Sequence, residues 1–241
     1  MRTLYFLFSL TILFPACQPT SRKADVMTHE DSLRRAQAIE IKVRAMNTFY
    51  HTGGIDSLDF ILEQLDKAIQ TDTTFTQTYK DKAMVLTSEK DFDAAIEVLK
   101  IGRRQQISDI QFPEIVGFLY QKKGDTITAK KYYKEAIQIC AEQQKLYPDS
   151  IYFPVERALM LGFLYNSMDS MAKEMDKIQE QFPDYPYMQM FVEMSREKDL
   201  LQGLLSKLAN YDFIKEEYLK SLTPEQQELL RKKINRIFIN H

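Results

Sequence analysis

Glycine and proline are scarce in this chain, at 7 and 8 of 241 residues, and strand alternation bounded by Asn-Gly or Asp-Gly turns is nowhere evident. That excludes the turn-rich sandwiches and barrels, which need such punctuation between short strands. Charge of one sign is also missing. Thirty-two basic residues face 34 acidic ones for a net charge of −2, a near-neutral total that argues against nucleic acid, whose binding calls for a basic face to neutralise phosphates. Short basic runs such as Lys130-Lys131 and Arg231-Lys232-Lys233 lie beside acidic residues and read as solvated helix faces. Two cysteines, Cys17 and Cys140, leave no disulfide framework. A lone Cys140 in an apolar helical run reads as a small core residue.

Chemistry is thin as well. The three histidines, His29, His51 and His241, are scattered and lack metal-ligand spacing. There is no Gly-rich phosphate loop, no G-x-S-x-G and no Cys-x-x-Cys. Carboxylate pairs such as Asp91 and Asp93 flank a tight turn, where acidic residues commonly cap the next helix. The expectation is a protein that is not an enzyme and carries neither cofactor nor metal.

What is present begins at the N-terminus, MRTLYFLFSLTILFPAC. Arg2 precedes an apolar run from Leu4 to Phe14, and Ala16 supplies a small residue before Cys17. Eleven apolar residues are short of the roughly 20 that span a bilayer, so residues 1–16 read as an export signal. The arrangement around Ala16 and Cys17 resembles the lipobox of bacterial lipoproteins. The resemblance implies that Cys17 is lipidated, that residues 17–27 form a polar tether, and that the protein is membrane-anchored. Gln18 stands where that family's inner-membrane retention signal is Asp, which implies placement at the outer membrane, facing the periplasm or the cell surface.

Beyond the tether the chain is a series of helix-period segments between short breakers. The stretch GFLY occurs at Gly117–Tyr120 and again at Gly162–Tyr165. An offset of 34 lays Ala83 over Gly117, Leu86 over Tyr120, Ala95 over Ala129, Leu99 over Tyr133 and Gly102 over Ala136. The second GFLY is displaced by 45, and the surplus of eleven is close to three helical turns. That predicts one long helix over Thr126–Leu146, ended by Tyr147-Pro148-Asp149. A further hairpin follows over about 153–167 and 170–182. Residues 28–50 read as an earlier helix. The last helix has Thr223 as N-cap, Pro224 at its first position and Gln226 completing a capping box. Its apolar stripe is Leu229, Leu230, Ile234, Ile237 and Phe238.

In the segment Ile110–Ala141, Val116, Gly117, Tyr120, Gly124, Ala129, Tyr133 and Ala136 resemble the helix-turn-helix signature of the tetratricopeptide repeat (TPR), whose period is 34. The preceding unit departs from it with Lys82 and Lys90 where Leu and Gly are usual. The resemblance implies an all-α, right-handed superhelix of hairpins over residues 28–184, with divergent capping helices over 185–241. It also implies a concave surface, made by the first helix of each hairpin, that binds another protein or peptide. Carried over by position, that groove holds Lys80 and Met84, then Glu114, Phe118, Gln121 and Lys122, then Phe163 and Asn166. Phe118 and Phe163, the F of each GFLY, are its candidate apolar anchors. The functional expectation is an envelope adaptor or assembly factor. The alternatives are an immunity lipoprotein that neutralises a toxin, and an enzyme site in the divergent helices after Tyr185.

Overall fold

The computed structural model describes residues 27–55, 57–185, 188–197, 199–207, 220–224 and 226–228. The proposed signal, Cys17 and the stripe 229–238 lie outside them. Every regular element among the described residues is a helix, and consecutive helices pack against each other. The chain divides into two compact units, which meet between Gln105 and Gln106 in sequence.

The first unit holds α1 (His29–Thr52), α2 (Leu58–Thr71), α3 (Thr76–Ser88) and α4 (Phe92–Gln105). A capping box starts α1: the Asp31 amide donates to Thr28 Oγ1 at 3.1 Å, and the Thr28 amide donates to Asp31 Oδ2 at 3.2 Å. Its end is set by Gly53, whose φ of 61° turns the chain into the left-handed region. Ile61, Leu65 and Ala68 form one fully buried stripe on α2, and Ile61 and Leu65 meet Ala45, Phe49 and Val85 in the core. Arg35 of α1 is bonded to Asp72 and to Thr74, beyond the end of α2. Burial would raise the Asp72 pKa, but the bonds from Arg35 and Thr74 outweigh it and hold the carboxyl below its ordinary range.

The second unit holds α5 (Gln111–Lys122), α6 (Thr126–Leu146), α7 (Tyr152–Tyr165), α8 (Met168–Gln181), α9 (Met188–Ser195) and α10 (Leu200–Lys207). The α6 boundaries are those the inserted turns predict, and α7 and α8 fall within two residues of the predicted hairpin. Asp125 caps α6 by accepting from the Thr128 amide, and Ser167 caps α8 by accepting from the Ser170 amide. Pro113 and Pro154 sit in the first turns of α5 and α7, where the missing N–H breaks no helical bond. One core runs through the unit, from Phe118, Ala129 and Tyr133 through Phe163 and Met171 to Phe191 and Leu201.

Two glycines explain how α5–α6 and α7–α8 come together. A Cβ on Gly117 would lie 2.5 Å from Tyr133 Cε1, so the ring occupies the space that the missing side chain vacates. A Cβ on Gly162 would lie 3.2 Å from Met171 Cβ. The second hairpin thus accommodates the methionine as a tight contact. In the C-terminal part of the chain, Thr223 and Gln226 exchange the predicted capping-box bonds: the Thr223 amide donates to Gln226 Oε1 at 2.8 Å, and the Gln226 amide to Thr223 Oγ1 at 3.3 Å.

Candidate functional site

Tyr133 is the centre of the residues that the repeat reading singles out in the second unit. It projects from α6 with no exposed surface. Phe118 of α5 lies 5.8 Å from it by ring centroids, and Phe163 of α7 lies 5.6 Å away. Phe118 and Phe163 meet edge-on at 4.7 Å, a favourable aromatic geometry. The Tyr133 hydroxyl donates to Gln121 Oε1 at 2.5 Å. Burial pushes the Tyr133 phenol pKa well up, and the nearby Glu114 carboxylate pushes it the same way.

This placement corrects the groove assignment. Phe118 and Phe163 are only 6% and 3% exposed, so they cannot serve as open anchors for a peptide. They are equivalent in sequence and share a face, but the face they share is closed by each other and by Tyr133. Glu114 is 4% exposed and interior, and the Gln121 carbonyl is engaged by Tyr133. Asn166 is exposed, yet its φ of 49° ends α7 in the left-handed conformation, a backbone role that asparagine fills readily. Lys122 is exposed at the end of α5. In the first unit Lys80 and Met84 are half-buried on α3, Met84 packing against the Phe49–Leu65–Val85 core.

A second interior cluster went unread in the sequence. Glu156 of α7 is 3% exposed, and its Oε2 has no hydrogen-bond partner. Its surroundings desolvate the carboxylate and push its pKa up to about 7. The buried Cys140 of α6 faces both Glu156 and Glu114. Burial first, and then those two carboxylates, push the thiol pKa far up, so no thiolate forms near neutrality. In sequence Glu156 and Arg157 stand side by side in the run from Tyr152 to Tyr165, a charged pair that reads as solvated.

Gln106, Ser108, Asp109, Ile110, Gln143, Tyr152 and Phe153 line a small pocket in the same unit. Its volume of about 20 Å³ would hold one water-sized group, far below the roughly 300–1,000 Å³ of ligand sites. Among the described residues no three His, Cys, Asp or Glu side chains are grouped to hold a metal ion. Among the same residues no helix is long and apolar enough to cross a membrane. Lys122 at the end of α5 and Tyr165 at the end of α7 are exposed, Tyr165 at 63%.

No protein-family model matches the chain, and no curated protein matches its sequence.

Proposed function

We propose that this chain is an exported, lipid-anchored scaffold of TPR type, whose hairpins stack into a right-handed superhelix and bind another protein in the cell envelope. It acts as an adaptor or assembly factor and carries out no chemistry of its own. The observation that carries this reading is the recurring interlock of a small residue under a large one. Gly117 lies beneath Tyr133, and Gly162 lies against Met171. Each interlock closes one hairpin, and a hairpin so closed still has apolar flanks that only a neighbouring hairpin can bury. Two side-to-side contacts support such stacking, one in each unit. In the first, α1 touches α3 as well as α2. In the second, the Phe118 ring of α5 meets Phe163 of α7.

With the two phenylalanines committed to the core, recognition falls to the exposed residues at the C-terminal ends of α5 and α7, Lys122 and Tyr165. Tyrosine supplies a large contact area at low conformational cost and is enriched at binding hot spots. Affinity capture from envelope extracts tests this with the wild-type chain and a Lys122→Glu, Tyr165→Ala double variant of unchanged thermal stability. A protein held by the wild type and lost from the variant supports the reading; equal capture by both removes it. Anchoring is tested separately. Cys17→Ser should move the protein from the membrane to the soluble fraction, and unchanged membrane association would refute the lipid.

A further inference from the structure

Helix α1 has two faces, and the described residues of its unit cover only one. Ala38, Ala45 and Phe49 are fully buried against the neighbouring helices. On the opposite side Leu33, Ala36, Glu40, Val43, Asn47 and Tyr50 are all exposed. Their spacing alternates between three and four residues, which keeps them on one seam. The apolar members are well out in solvent: Leu33 is 58% exposed, Val43 43% and Tyr50 50%. Phe60 of α2 extends the patch at 37% exposure, and the Arg44 guanidinium lies over its ring at 5.9 Å. That contact holds Arg44 at the edge of the seam. At 24 residues α1 is also much longer than the 14-residue α2 with which it forms a hairpin.

We propose that this seam is the contact between two copies of the chain, with their α1 helices packed antiparallel about a two-fold axis. The charges select the occupant and the direction. A parallel pair would set Glu40 against Glu40 and Asn47 against Asn47 in the same layers, and the like carboxylates would repel. Antiparallel pairing brings Leu33 opposite Tyr50 of the second copy, Ala36 opposite Asn47, and Glu40 opposite Val43. Glu40 then lies beside Arg44 of the second copy, and symmetry supplies the same ion pair twice. One patch that is complementary to itself is what a two-fold interface requires. From Leu33 to Tyr50 the seam is about 26 Å long at 1.5 Å per residue, and Phe60 widens it. The pairing uses neither Lys122 nor Tyr165, so it stands or falls apart from the proposed recognition surface.

The test is sedimentation equilibrium on the full chain in density-matched detergent, with thermal melts as folding controls. The wild type should be dimeric at micromolar concentration. Glu40→Arg alone and Arg44→Glu alone each set like charges together and should raise the dissociation constant at least about tenfold. The double variant Glu40→Arg, Arg44→Glu restores opposite charges and should return it to within about threefold of the wild type. A wild type that stays monomeric at about 100 μM, or a double variant no better than the singles, overturns the proposal. So does a monomeric wild type that floats with anionic lipid vesicles and loses them on Val43→Asp, because the seam would then meet a lipid surface.

Discussion

The ring of Tyr133 fills the space a side chain on Gly117 would need, with Cε1 2.5 Å and Cδ1 2.8 Å from the position of the absent Cβ. The ring has little room to yield. Its hydroxyl is bonded to Gln121, and Phe118 and Phe163 pack around it. Gly117→Ala should therefore destabilise the protein even though alanine is the better helix former by about 1 kcal/mol. Overpacking of this kind costs about 1–3 kcal/mol, so a lower urea midpoint is expected. Gly124→Ala separates the two ways a glycine can matter. No atom lies within 4 Å of a Cβ there, but φ is 84°. Its cost of about 1 kcal/mol should come from backbone strain alone. Restoring space with Tyr133→Leu should rescue part of the Gly117→Ala loss and none of the Gly124→Ala loss. A Gly117→Ala variant as stable as the wild type would mean that α5 and α6 are not held by this contact.

Lys90 offers the opposite experiment. It stands 34 residues before Gly124, at the position where the repeat has glycine, and it takes the same left-handed backbone, with φ of 64°. A side chain in that region costs roughly 1–2 kcal/mol, partly offset by the lower chain entropy of lysine in the unfolded state. Lys90→Gly should raise stability by about 0.5–1 kcal/mol, read as a higher urea midpoint with an unchanged slope. A loss of stability would mean that Lys90 makes a contact worth more than the strain.

These residues also show what was legible in the sequence and what was not. The α6 ends could be read because Gly124-Asp125 before it and Tyr147-Pro148-Asp149 after it are local signals, and helix ends are decided locally. The left-handed Lys90 could be expected from its offset to Gly124. Phe118 and Phe163 could not be placed in the same way. Periodicity gives the face of a helix on which a residue lies, but whether that face is open depends on what packs across it. Here the occupant is the other phenylalanine, together with a tyrosine from α6. Glu156 was missed because charge is ordinarily read as solvated, and its burial follows from the α5–α6–α7 packing and from no local pattern.

Glu156 makes stability depend on pH with an unusual sign. Its unfolded pKa is near the ordinary 4.5, and its folded value is pushed up to about 7 by burial. The groups facing this interior are Glu114 from α5 and Cys140 from α6, with Arg157 next to it on α7 paired at 3.0 Å to Glu174 of α8. Between those two values the folded state binds a proton that the unfolded state has lost, so stability falls as pH rises from about 4.5 to 7. The contribution is fully present below 4.5, and above 7 the buried charge has its full cost, on the order of 3 kcal/mol. Asp31, Asp72 and Asp125 act in the other direction and at lower pH. Hydrogen bonds hold their carboxyls below the ordinary range, so they lose their contribution only as the solution becomes more acid than about pH 4. Urea unfolding across pH 3–8 should show a maximum near pH 4–5. Glu156→Gln keeps the shape and removes the charge; it should flatten the limb between 4.5 and 7 and gain about 1–3 kcal/mol at pH 7.5. If the variant keeps the wild-type slope in that window, the buried proton resides elsewhere, and the assignment to Glu156 fails.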